Sequence, residues 1–320
     1  MRLNFKKDFL LVTAMLVAAG CSDSMTGENN PEQQVPIAFG TQVATRAVVE
    51  SDKEGMDNFT LWGWVRESDG PKLFFDAASV TPSGNYGEKR FWAVGRPYDF
   101  FALHPEKMKE EGIAAEVSCN DKGELRVTGF DSSRMGKDAV DLMTATETDV
   151  TYEGGGTMAP VLLAFKHELA QVKLTVRTGE KQAEVSDIRL CGVDDKGDLL
   201  WTPEYSTWQN RVNCTEEKTP FVRSGSVQIE AGSSATVLDG VLLLPQPVTE
   251  DVAVTFKYAY AGKPLSEAKE AMVYLDAALT TEWIKSKTYH YKITLPAADA
   301  DITVKVSVGD WDSKDISADW

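Results

Sequence analysis

The chain has 320 residues, with 33 basic against 49 acidic side chains and a formal net charge of -16. With no basic cluster to offset that excess, nucleic acid and anionic membrane surfaces are poor partners. Neither a CxxC nor a cysteine–histidine cluster occurs, which argues against a structural zinc site.

At the start, Arg2, Lys6 and Lys7 precede an apolar run over 9–19 that ends in Gly20-Cys21. The run is too short to cross a bilayer as a helix, and small residues stand where a signal peptidase threads the backbone. Residues 1–20 therefore read as an export signal peptide. The pattern resembles the bacterial lipobox, with Ala18 where leucine is usual, and so implies lipidation at Cys21. Buried acyl chains would then hold the mature N-terminus in a membrane. Residues 21–34 are polar and poor in apolar side chains, and read as a disordered tether.

From Val35 onward period-2 alternation recurs and helical periodicity is scarce, which predicts an all-β protein. The first strand, 35–44, puts Val35, Ile37 and Phe39 on one face. Further strands are expected over 59–65, 72–75, 90–94, 98–103, 115–118 and 125–128, separated by turn-forming segments such as Ser68-Asp69-Gly70-Pro71. Gly154-Gly155-Gly156 reads as a mobile loop ahead of a boundary near residue 165. Beyond it Ala170, Val172, Leu174 and Val176 form the cleanest half-buried alternation in the chain. Strands are expected again over 187–191, 227–230, 237–244, 252–260, 289–295 and 302–308, with a short helix or turn at 267–271. About 280 residues are long for one core, so two tandem β-sandwiches are expected, over 35–165 and 166–320.

Motifs for catalysis are absent: there is no GxSxG elbow, Walker loop or GxGxxG, and His167-Glu168 lacks the second histidine of a zinc-protease helix. His104, His167 and His290 each lie in or beside an apolar strand and read as structural. Asp194-Asp195-Lys196-Gly197-Asp198 lacks the acidic ligand that closes a calcium loop, and reads as a hairpin turn. No metal and no cofactor are implied. Cys119, Cys191 and Cys214 remain once Cys21 is lipidated; a Cys191–Cys214 bridge is the candidate pairing, against free buried thiols. Trp201, Tyr205 and Trp208 have two readings, a stacking platform for a sugar or packing beneath their loop.

The order of elements resembles the fimbrillin-like lipoproteins, subunits of type V pili and their relatives in Gram-negative anaerobes. The features that carry the resemblance are the Cys21 lipobox, Ile37-Ala38-Phe39 leading to Thr45-Arg46-Ala47, and Trp92 followed by Tyr98-Asp99-Phe100-Phe101-Ala102. The run 165–172, Trp283 ahead of Tyr289-His290-Tyr291, and a last strand leading to Asp310-Trp311 complete it. His104-Pro105 departs from the family, where tyrosine commonly precedes the proline.

The resemblance implies two transthyretin-like β-sandwich domains, outer-membrane lipid anchoring with surface display, and a non-enzymatic, adhesive role among other pilus subunits. It implies cleavage between Arg46 and Ala47, removing lipid, tether and first strand together. A sandwich missing one strand exposes an apolar groove and unpaired backbone groups, a template for an added strand. Ile302, Val304, Val306 and Val308 have the one-faced pattern of such a donor strand, and equally that of a last core strand. Donor and acceptor at opposite ends of the sequence give head-to-tail, open assembly. Uncut, Arg46 is one loop arginine in an anchor or a free surface lipoprotein. A surface glycan-binding lipoprotein using Trp201, Tyr205 and Trp208 is the alternative.

Overall fold

β-strands make up nearly all regular structure in the computed structural model, which describes residues 34–43, 56–278, 280–296 and 301–311. From Val35 onward they belong to one contact unit. In chain order the first strands are β1 (Phe39–Val43), β2 (Phe59–Glu67), β3 (Gly70–Val80), β4 (Pro97–His104), β5 (Glu116–Cys119), β6 (Leu125–Asp131), β7 (Met143–Thr151) and β8 (Val161–His167). There follow β9 (Ala170–Arg177), β10 (Ala183–Cys191), β11 (Val193–Trp201), β12 (Ser206–Cys214), β13 (Val222–Ile229) and β14 (Ser234–Leu243). The last are β15 (Gln246–Pro247), β16 (Ala253–Tyr260), β17 (Lys269–Tyr274), β18 (Glu282–Trp283), β19 (Lys287–Thr294) and β20 (Thr303–Asp310).

A six-stranded sheet runs β1-β8-β7-β4-β2-β3. β7 and β8 pair only at Met143↔His167 and Thr144↔Lys166, so β8 folds over the other strands, carrying β1 in parallel on its far side. Rings confirm the closure: Phe59 of β2 meets Phe165 of β8 at 5.1 Å, and Phe39 of β1 meets Phe100 of β4 at 5.2 Å. These are two layers packed face to face around one apolar cluster.

β2 and β4 are buried on both sides, which is why they read as nearly continuous apolar runs. Phe59, Leu61 and Val65 face the first cluster, whereas Trp62 and Trp64 face a second one shared with the sheet β12-β11-β6-β5. That sheet joins strands from before and after residue 165, through β6–β11 pairing from Lys196↔Asp131 to Trp201↔Leu125. The chain leaves the six-stranded sheet through 167–169 and enters β9. Beyond that point β14-β9-β19-β20 packs on β13-β10-β16-β17 around a third cluster built from Val172, Leu174, Val254, Phe256, Tyr291 and their neighbours. The protein is all-β, with β-sandwich packing in both parts.

Several expectations are corrected. Residues 193–201 form strand β11, not a turn at 194–198: Val193, Asp195, Gly197, Leu199 and Trp201 alternate inward. Gly197 serves close packing, since a Cβ there would stand 2.8 Å from Leu244 and 3.4 Å from Trp208. The expected strand over 90–94 is reduced to single bridges, because its two ends pair with different segments: Phe91 with Pro36 ahead of β1, and Val94 with Tyr152 just after β7. Residues 265–267 form one 3-10 turn, and 269–274 are strand β17.

Candidate functional site

Of the strand expected over 35–44, residues 35–43 are described; only Phe39–Val43 is regular strand, since 35–38 pair through single contacts, and the fold holds the segment from two sides. On one side β1 pairs in parallel with β8, from Phe39↔Val161 to Val43↔Phe165, and Val161 N–H donates to Ala38 O at 2.8 Å. On the other, Ile37 N–H donates to Arg90 O at 2.8 Å and Trp92 N–H donates to Val35 O at 3.0 Å. A clasp over 81–92 closes this second side: Thr41 Oγ1 donates to Pro82 O at 3.1 Å, and Tyr86 Oη donates to Ile37 O at 2.7 Å. Arg90 in turn lies over the rings of Phe74 and Phe75, 5.1 Å from each centroid.

Val35, Ile37 and Phe39 all point into the first cluster, and Phe39 is only 4% exposed. Burying three such side chains stabilises the seated strand by about 1.5–3 kcal/mol each. Removing it would open a groove floored by Phe75 and Phe100 and rimmed by the backbone groups of β8 and of 90–92. Gly84 sets the tightest contact, since a Cβ there would stand 2.1 Å from Phe39 O, and its φ of +83° suits glycine. None of Gly84, Tyr86, Phe75 or Phe100 was singled out by sequence as part of a site. Their partners lie far along the chain, and no local spacing signals them.

β20 offers a contrast. It pairs antiparallel with β19 from Lys287↔Asp310 to Thr294↔Thr303 and has no neighbour on its other edge among the described residues. Ile302, Val304 and Val306 are half-buried on the third cluster, and Val308 is 53% exposed. Just past it Trp311 is buried and stacks on His167 at 4.3 Å, while His167 Nδ1 pairs with Asp141 at 2.8 Å. Beside them the fully buried Glu168 accepts hydrogen bonds from Thr144 Oγ1 at 2.8 Å and from Lys285 Nζ at 3.0 Å. The run 165–172 thus joins the six-stranded sheet to the rest. Cys21, Arg46 and Ala47 lie outside the described residues.

Trp201, Tyr205 and Trp208 do not form a platform. Trp201 and Trp208 are 6% and 7% exposed within the second cluster, Trp208 against Phe130 at 5.5 Å, and only Tyr205 faces solvent. Their spacing along the β11–β12 hairpin is that of inward-facing strand residues. Cys191 and Cys214 are free and buried; burial pushes the Cys191 thiol up to about 11 and raises that of Cys214, which keeps both unreactive. His104 Nδ1 bonds to Asp141 O at 3.1 Å, and burial lowers its pKa below the ordinary histidine value.

The family model described as fimbrillin-like matches residues 45–311. The chain belongs to the fimbrillin-like family. Over 191 residues this fimbrillin-like chain is 29% identical to the fimbrium subunit Fim1C of Phocaeicola vulgatus, a match covering 52% of the chain and 50% of that protein. The match thus spans about half the length of that curated relative. A crystal structure of a fimbrial protein from Bacteroides vulgatus is similar with a TM-score of 0.61 at 16% identity, over 86% of this chain and 99% of that one. At that identity the likeness is one of fold. Family membership therefore rests on the match over 45–311, and the solved structure adds the fold.

Proposed function

We propose that the chain is a non-enzymatic subunit of a surface fimbrium, exported as a lipoprotein through Cys21 and assembled with other pilus subunits by strand exchange. Cleavage between Arg46 and Ala47 would separate the segment 35–43 from the rest of the chain together with lipid and tether. The emptied seat would then accept a strand from another subunit, and the one-sided strand β20 is the candidate for donation onward. The assembly is head-to-tail, because acceptor and donor lie on different strands of each copy.

The observation that carries this reading is the seat itself. A nine-residue segment just upstream of Arg46 plugs the first cluster with three side chains and is bounded on both sides by backbone ready to pair with a replacement. The glycan-binding alternative has lost its platform, since two of its three rings are packed inside.

Intact mass and N-terminal sequencing of protein from its native envelope, beside a non-boiled gel, test the proposal. A chain beginning at Ala47 within a ladder of polymers is the expected result. An acylated Cys21 on an uncut chain without a ladder would reject strand exchange and leave a lipid-held anchor.

A further inference from the structure

The seat of β1 is not uniform along its length. At Phe39 it is a box of rings: Phe75, Tyr86 and Phe100 stand edge-on to Phe39, with centroids at 5.6, 5.6 and 5.2 Å. The floor of the box is close-packed: the rings of Phe75 and Phe100 lie over Gly63, where a Cβ would stand only 3.0 and 3.1 Å from them. Its lid is the turn at Gly84, already in contact with the Phe39 carbonyl. The hydrogen bonds along the rim, from Tyr86 Oη to Ile37 O and from Val161 N–H to Ala38 O, act on the backbone and accept any extended chain. Discrimination among strands therefore falls on the box.

β20 does not supply what the box needs. Its in-phase side chains are Ile302, Val304, Val306 and Val308, none with a ring, and Trp311 is out of phase with them. Entering in either direction, β20 would set a branched aliphatic group where a phenyl ring fits. It would leave a void beside the rings of Phe75, Tyr86 and Phe100, and a poorly filled cavity of that kind costs binding energy.

Building on the strand-exchange reading above, we infer that this groove accepts a strand from a different subunit. That strand carries phenylalanine at the Phe39 position and aliphatic side chains two and four residues before it. The groove discriminates against the β20 of its own copies. Ring-to-valine truncation in such a box weakens binding by about tenfold or more. The chain is then a subunit that follows a different kind of subunit and does not extend a filament of itself.

The test uses the full chain with a specific protease site placed within 44–50, cut after folding so that the segment 35–43 stays seated without a covalent link. Fluorescent peptides then compete for the seat: residues 35–43, the same peptide with Phe39→Val, residues 302–310, and residues 312–320, in which Ile316, Ala318 and Trp320 share the spacing of Val35, Ile37 and Phe39. The expected order places the native peptide first, with the Phe39→Val peptide and 302–310 weaker by about tenfold or more. Binding of the Phe39→Val peptide, of 302–310 or of 312–320 as tight as that of 35–43 overturns the inference, and either of the last two results makes copies of the chain partners for one another. Failure of every peptide to exchange, the native one included, rejects strand exchange itself, a result distinct from lost discrimination. In the uncut chain Phe39→Val must lower the unfolding midpoint; an unchanged midpoint shows that the box selects nothing.

Discussion

β1 and β20 are both edge strands with three or four alternating apolar side chains, yet the protein holds them in opposite ways. β1 and the segment ahead of it are clamped between β8 and the clasp at 81–92, with Phe39 sunk among rings. β20 is paired on one side, and its apolar face is only half covered. Sequence alternation alone makes them equivalents. What separates them is the second wall, contributed by a stretch some fifty residues downstream of β1. A strand so held is costly to lose and worth replacing, whereas β20 keeps one edge open and its apolar face half covered.

The largest effect that would sharpen this contrast is truncation. Phe39→Ala should destabilise the uncut chain by about 3–5 kcal/mol in chemical denaturation, and Val306→Ala by about 1 kcal/mol. Equal losses would break the comparison. Next comes the clasp: Gly84→Ala should cost about 2 kcal/mol or more, because the new methyl meets the Phe39 carbonyl. Gly87→Ala, at a similar φ of +82° but with open space around it, should cost about 1 kcal/mol. A clasp that is not tight against β1 would give the two glycines the same penalty. Hydrogen exchange follows: the amides of Ile37 and Trp92 should open only with the whole fold, and those of β20 by a cheaper local route.

A smaller effect is acid sensitivity. The buried His104 has a folded pKa below its ordinary value of 6.5, so the unfolded chain binds the proton first. Stability should therefore be unaffected above that value and fall as pH drops below it. His104→Asn, which keeps a donor toward Asp141 O, should flatten this part of the pH profile. Smallest of all, Lys287 holds the exposed Asp310 carboxyl below its usual range at the end of β20. Its contribution is present above the ordinary carboxylate range and fades as pH falls through the lowered value. Asp310→Asn should be barely detectable and its effect should vanish in molar salt.

Much of the strand layout is legible from alternation, because burial on one face imposes period 2: β9, β16 and β19 are plain in the sequence. β2 and β4 are legible for a different reason, being apolar on both faces. β11 is not, because its inward positions include Asp195 and Gly197; an aspartate and a glycine flanked by charges have the composition of a turn. Asp195 is buried nonetheless, which raises its pKa, and its backbone carbonyl accepts from Ser132 N–H at 2.8 Å. At the site, the apolar face of Val35, Ile37 and Phe39 could be read directly. The box and clasp could not, since Phe75, Tyr86 and Phe100 reach Phe39 only once the sheet has folded over. The tryptophans of the β11–β12 hairpin mislead for a related reason, as a loop-like composition conceals two inward-facing positions.

The pairing of β6 with β11 has a mechanical consequence. Because one sheet draws strands from both halves of the sequence, the two parts cannot swing about the link at 167–169 without breaking the ladder from Lys196↔Asp131 to Trp201↔Leu125. A pull between the two parts is borne by strands locked side by side and not by a flexible joint.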